Sequence, residues 1–233
     1  TAQLLATDAK GEIFDSSSVH APPFPVPTLA PSDIGSIQGH MVSIVLSPYL
    51  MNTGLYSAFA DGQLNYAIAA SALPDKYRKY LNTSFFAEVC PGLAKAYPGS
   101  AAMSVLLNAS STPTLSVDPN PANEPLTSVS AQTDFVFSVD PASGSDAAPV
   151  QAFVLSCPMD LGGKVTVDNQ TLMGKLTLVS CVLKEKSSAF GPVDVSGLNM
   201  IVGAALGLFV LPLINKYIAH GIAIPTFDGA KFV

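Results

Sequence analysis

From Val195 to Asn215 the chain carries no charged side chain. The run matches the stretch of about 20 predominantly apolar residues that a helix needs to span a bilayer. Gly203 and Gly207 add the Gly-x-x-x-Gly spacing by which membrane helices pack closely. The segment therefore belongs either in lipid or in a soluble protein built to hold something as apolar as lipid. Three features favour the second. Ser196 and Asn199 open the segment, and Pro212 would break helical bonding one turn before its end. Neither flank carries the Lys and Arg cluster of a cytoplasmic membrane border. The rest of the chain reads as a large β-structure able to cover a helix, and a helix apolar on nearly every side is expected to be buried on nearly every side.

The composition supports an ordered, unusually apolar protein. Of 233 residues 48% are hydrophobic and 12% charged, against about 25% charged in an ordinary globular chain. The net charge of −6 argues against nucleic acid, and against anionic membranes or lipid phosphates, as simple electrostatic partners. No initiator Met or signal-peptide pattern stands at Thr1, so the sequence reads as a processed or excised piece. Cys90, Cys157 and Cys181 make no disulfide framework, although they allow one bridge and one free thiol. Their spacing, with His20, His40 and His220 scattered, does not suit a zinc site, and no cofactor is expected. Asn82, Asn108 and Asn169 each open a glycosylation tripeptide.

No catalytic constellation is legible. Ser16-Ser-Ser lacks a nucleophile elbow, and no His stands in a recognisable context with a carboxylate. Gly162-Gly163 reads as a turn rather than a phosphate loop. The chain is not expected to be an enzyme.

Along the chain, Lys10–Phe14 suggests a short strand, followed by a stiff connector with prolines at 22, 23, 25, 27 and 31. Residues 1–40 thus form a strand and linker, and 41–233 the main domain. Met41–Leu46 reads as a strand. Ser47-Pro48 is an N-cap and first-position signature for a helix over Tyr49–Ala60, with Asn52, Leu55, Tyr56 and Phe59 on one face. A second helix is predicted over Ser84–Ala96, interrupted by Pro91. Strands follow at Met103–Asn108 and Leu115–Asp118. The clearest runs from Ser128 to Asp140: Val129, Ala131, Thr133, Phe135, Phe137 and Val139 alternate with polar residues that include Asp134, the pattern of one dry and one wet face. Val150–Cys157, Lys164–Asp168 and Leu172–Lys184 continue the meander, with a hairpin at Asp168-Asn169-Gln170.

The fold class is α+β: a long curved antiparallel sheet rolled around the long apolar helix would bury it. In that helix Gly197, Gly203, Ala204, Ala205 and Gly207 interleave with Val202, Leu206, Phe209 and Leu213. Small residues imply either close backbone packing or an unfilled cavity.

Six runs stand in order along the chain: Ser47-Pro-Tyr-Leu-Met-Asn-Thr-Gly-Leu-Tyr, Phe85-Phe-Ala-Glu-Val-Cys-Pro-Gly-Leu-Ala-Lys-Ala-Tyr-Pro, Ser111-Thr-Pro-Thr-Leu-Ser-Val-Asp-Pro, Gly191-Pro-Val, Leu211-Pro-Leu-Ile-Asn-Lys and Gly221-Ile-Ala-Ile-Pro. Taken together they resemble the carboxy-terminal half of the bactericidal/permeability-increasing protein and lipopolysaccharide-binding protein family. The resemblance implies one half of a boomerang-shaped, secreted, lipid-binding or innate-immunity protein, a strongly twisted antiparallel sheet wrapped on a long apolar helix, with an apolar pocket for phospholipid tails. It implies the amino-terminal half of the same protein as a partner, and leaves endotoxin binding doubtful here because that half carries the family's basic tip. None of the three cysteines inherits a partner from it.

Tyr49, Tyr56, Phe59, Phe86 and Phe209 read first as core. By position in the helix motifs, the resemblance transfers a lipid pocket to Leu55, Tyr56, Phe59, Val202, Leu206, Phe209, Val210 and Leu213. Binding is expected through the tails, with little affinity for anionic head groups. The alternatives are a membrane-anchored protein spanning the bilayer with 195–215, and a structural interaction domain whose core is filled by its own side chains.

Overall fold

The structure is a computed structural model that describes residues 10–18, 20–28, 45–118, 127–142, 144–168 and 171–223. The fold is α+β, built on one curled antiparallel sheet. Its strands are β1 (Asn65–Ala69), β2 (Met103–Ala109), β3 (Thr114–Val117), β4 (Thr127–Val139), β5 (Val150–Asp168), β6 (Thr171–Cys181), β7 (Lys184–Ser188) and β8 (Ile222–Ala223). They run in the order β1-β2-β4-β5-β6-β8, with β3 also pairing with β4 and β7 with β5. Register shifts at Phe137/Ser138, Val154/Leu155 and Asp160/Leu161 mark bulges, which bend and twist a sheet.

The alternation in β4 decides which face is covered. Val129, Thr133, Phe135, Phe137 and Val139 are buried, while Ser128 and Ser130 are exposed. Asp134 departs from the expected pattern: it sits on the polar side yet is buried. The ammonium of Lys186 on β7 reaches across to its Oδ2, so the carboxylate exchanges water for a cation.

Strand β5 corrects the prediction of two strands with a Gly-Gly turn between them. It is continuous over 19 residues, and Gly163 pairs with Thr127 across the ladder. A Cβ at Gly163 would overlap the Thr127 hydroxyl, so glycine here makes room for a neighbouring strand. Early in its length β5 pairs with β7, through Phe153–Ser156, and from Met159 it pairs with β6. A disulfide between Cys157 and Cys181, with Cα atoms 5.6 Å apart, ties the sheet at this change of partner. The family likeness had suggested no such pair. Cys90 is a buried free thiol.

Helix α1 (Pro48–Ala60) starts as expected, with the Tyr49 amide donating to the Ser47 hydroxyl at 3.1 Å. The second predicted helix is shorter than Ser84–Ala96. It is α2 (Pro91–Ala96), because Pro91 serves as a first-turn residue instead of lying inside the helix. Upstream, the Phe85 amide donates to the Asn82 side chain in a non-helical turn. Lys10–Phe14 forms no strand. The Ile13 amide donates to Thr53 Oγ1 and the Asp15 amide to Ser57 Oγ, each at 3.0 Å, so this segment lies along α1. Of the predicted strand Met41–Leu46, the first four residues fall outside the described residues, as do Asn169 and Gln170 of the hairpin, although Asp168 pairs with Thr171 across it. Strand β1 has no counterpart in the sequence pattern, because its residues are mostly exposed and show no two-face alternation.

The uncharged segment forms α3 (Leu198–Ile218), 21 residues long. Pro212 does not end it. Residues Leu206–Val210 widen into a π-turn immediately before the proline, a device that accommodates its missing N–H and bulky ring. Only 24% of the most apolar window of α3 is buried inside the protein. The sheet covers one side, at Leu198, Leu206 and Leu211, while Met200 (83%), Leu208 (61%) and Tyr217 (78%) stay exposed. The helix expected to be internal is thus covered on a single face.

Candidate functional site: an apolar cavity between sheet and helix

A cavity of about 370 Å³ lies between α3, the inner face of the sheet and the chain from Ile68 to Phe86. Its size falls within the range of about 300–1,000 Å³ typical of small-molecule sites. The sheet contributes Val105 and Leu107 from β2 and Phe135 and Phe137 from β4. The second wall consists of Leu73, Tyr77, Tyr80, Leu81, Phe85 and Phe86. Helix α3 supplies Leu198, Val202, Ala204, Ala205, Leu206 and Val210, with Met200, Ile201 and Leu208 at the mouth. Among the described residues every lining side chain is aliphatic, aromatic or a thioether, and the Tyr77 and Tyr80 hydroxyls are the only polar groups they bring.

One wall is a chain of aromatic contacts. Tyr80 meets Phe85 at 5.3 Å, Phe85 meets Phe86 at 5.1 Å, and Phe86 meets Phe137 and Phe153 at 5.2 and 5.4 Å. These are edge-on contacts of the kind that aromatic rings favour. They run from the exposed Tyr80 to Phe153, which is fully buried.

A Cβ on Gly203 or Gly207 would meet nothing within 4 Å, so among the described residues no helix packs closely against their Gly-x-x-x-Gly spacing, and neither glycine lines the cavity. Ala204 and Ala205 leave room where longer side chains would reach across the cavity.

Polar anchors fix the helix on the sheet. The Leu176 amide donates to Asn215 Oδ1 at 2.7 Å while Asn215 Nδ2 donates to the Leu176 carbonyl at 2.9 Å. At the other end the Leu183 amide donates to Asn199 Oδ1 at 2.8 Å. Asn52 on α1 grips Leu115 of β3 in the same two-way manner. An asparagine inside an apolar helix has to find such partners, so Asn199 and Asn215 in an otherwise apolar run are themselves a signal of contact with another element. Just ahead of α3, the Ser196 amide and then its hydroxyl hold the Asp194 carboxyl below its usual range.

Of the residues predicted to form a pocket, Val202, Leu206 and Val210 line the cavity. Leu213 lies on α3 beyond it and is partly exposed. The side chain of Phe209 falls outside the described residues. Leu55, Tyr56 and Phe59 are placed elsewhere: α1 turns Thr53 and Ser57 onto the Lys10–Phe24 segment, and the Phe24 ring packs on Tyr49 and Tyr56 at 5.6 and 6.2 Å. The wall assigned to the first helix comes instead from the Leu73–Phe86 segment, which the motif comparison passed over.

Asn82 and Asn108 are half-buried. Asn82 spends its side chain on turn contacts with Lys79, Ser84 and Phe85; Asn169 lies outside the described residues. One histidine does meet a carboxylate, contrary to expectation. His20 Nε2 stands 2.9 Å from Ser18 Oγ and 3.1 Å from Asp61 Oδ1. Both partners share one ring nitrogen, whereas a nucleophilic relay needs one partner on each. Among the described residues no group of three or more His, Cys, Asp or Glu is placed to hold a metal.

Comparison with known proteins fits this architecture. The family model described as "LBP / BPI / CETP family, C-terminal domain" matches residues 1–233. A bactericidal permeability-increasing protein of Sebastes schlegelii is 27% identical over 96% of this chain and 45% of its own length. The one from Rattus norvegicus is 26% identical over 100% of this chain and 46% of its own. A crystal structure of lipopolysaccharide binding protein superposes with a TM-score of 0.60 at 20% identity, over 92% of this chain and 44% of that one, a likeness of fold. The chain spans less than half the length of these relatives.

Proposed function

The chain belongs to the LBP / BPI / CETP family as its C-terminal domain, and from that premise we propose that its cavity takes up the acyl chains of a lipid, with phospholipid as the ligand class. The observation that carries the reading is the cavity of about 370 Å³, whose described lining holds no charged residue. Such a wall offers nothing to a polar metabolite but removes methylenes from water, worth about 0.8 kcal/mol each. Among the described lining residues none is arranged for bond-making chemistry, which supports a role in binding or carriage. The family further supports an extracellular, secreted setting and the amino-terminal half of the same protein as a neighbour.

The test is titration of the purified protein with a fluorescent acyl-chain probe, alongside Leu206→Asp. Leu206 is buried against the sheet and lines the cavity. An unpaired carboxylate there is expected to lower stability by several kcal/mol and abolish uptake. Uptake by wild type that is absent, or that survives Leu206→Asp in a folded protein, would overturn the reading.

A further inference from the structure

We propose that the turn Lys76–Tyr80 lands the mouth of the cavity on a lipid surface that carries anionic head groups. The inference rests on the acyl-chain reading of the cavity and goes beyond it, because it names the surface the mouth faces.

One helical turn, Asp75–Arg78, has no buried residue. Tyr77 and Tyr80 from this segment line the cavity. The Lys76 ammonium lies 4.6 Å from the Tyr77 ring centroid and the Lys79 ammonium 5.2 Å from that of Tyr80. Arg78 is committed to the turn: it pairs with Asp75 at 2.8 Å and its guanidinium donates to the Leu73 and Ser71 carbonyls. Lys76 and Lys79 are both exposed, and among the described residues neither pairs with a carboxylate. Two cations without carboxylate partners therefore lie against tyrosines that line a cavity with no charged residue in its described lining, in a chain of net charge −6. Averaging charge over the whole chain concealed this patch and led to the expectation of little affinity for anionic head groups.

Met200, Ile201 and Leu208 of α3 also line the cavity and are exposed. Exposed lysines with tyrosines from one segment and bare aliphatic tips from the other suit the layering of a membrane surface. Aromatic rings settle at head-group depth, ammoniums reach the phosphates, and aliphatic tips enter the acyl boundary. A lipid leaving that surface would pass between the two segments without drawing its chains through water. Each lysine near an anionic leaflet strengthens partitioning by about fivefold, so the pair contributes about 25-fold.

The chain contains no tryptophan, so Tyr80→Trp places a single reporter on the turn. Its emission and its co-sedimentation are measured with vesicles of phosphatidylcholine alone and of equal parts phosphatidylcholine and phosphatidylglycerol, at low and high salt. The expected result is a blue shift and at least tenfold tighter binding to the anionic vesicles at low salt, a preference that shrinks as salt screens the charges. Adding Lys76→Glu and Lys79→Glu to the reporter is expected to erase the preference, with an unchanged melting temperature showing that the fold survives. Equal binding to both vesicles at low salt, binding without a blue shift, or a preference that survives the charge reversal would overturn the proposal. Uptake of a monomeric acyl probe by wild type in vesicle-free solution reports the cavity separately. If uptake occurs and vesicle binding does not, docking alone fails; if the docking results appear without uptake, the acyl-chain reading fails alone.

Discussion

The knot of Phe86, Phe137 and Phe153 and the helix Leu198–Ile218 are both made of mostly apolar residues, yet one is sealed and the other half open. In the knot, rings from three separate segments interlock, with centroids 4.8–5.4 Å apart, and Phe153 has no exposed surface. Along the helix, glycines and alanines stand between the large side chains, and several of those large side chains face outward. Hydrophobicity alone does not close a core; complementary volumes do. The open region is where the cavity lies, beside a well-packed core.

This contrast can be broken most forcefully at Phe153. Phe153→Ala is expected to cost about 3–5 kcal/mol in chemical denaturation, because the surrounding rings and sheet cannot relax into the hole. A loss near that of an exposed residue would show that the knot is not the rigid wall described. Gly92 sharpens the same point, since a Cβ there would overlap the Phe190 carbonyl oxygen. Gly92→Ala should therefore lose about 1–3 kcal/mol in the same assay, the usual cost of overpacking. Opposite in sign and smaller is Gly203→Ala on the open helix. With no neighbour to strike, it should gain up to about 1 kcal/mol from helix propensity. A clear loss there would mean that something packs against the helix after all.

How far the sequence could be read depended on whether a residue's signal was local. Ser47-Pro48 announces α1 through its own cap chemistry, and β4 shows its two faces because one is wet and the other dry. The Gly162-Gly163 pair was misleading because its reason, the Thr127 hydroxyl on a neighbouring strand, is remote in sequence. The length of α3 was legible, whereas its one-sided cover was not, since burial depends on what else the chain brings near. For the candidate site, the last-helix residues Val202, Leu206 and Val210 were reachable from sequence. The opposite wall was not, because Leu73–Phe86 has neither helix nor strand periodicity to mark a buried face. Asp75-Lys-Tyr-Arg-Lys-Tyr was visible throughout, but its net positive charge disappeared in an acidic total.

The most direct test of the central claim is photo-crosslinking with a phospholipid that carries a diazirine on its acyl chain, followed by peptide mapping. Adducts are expected on the Tyr77–Phe86 segment and on Val202, Leu206 and Val210, and to diminish when unlabelled lipid competes. Adducts concentrated on Leu55, Tyr56 and Phe59 of α1, or spread over Leu213 and Tyr217 on the outer helix without competition, would contradict the account.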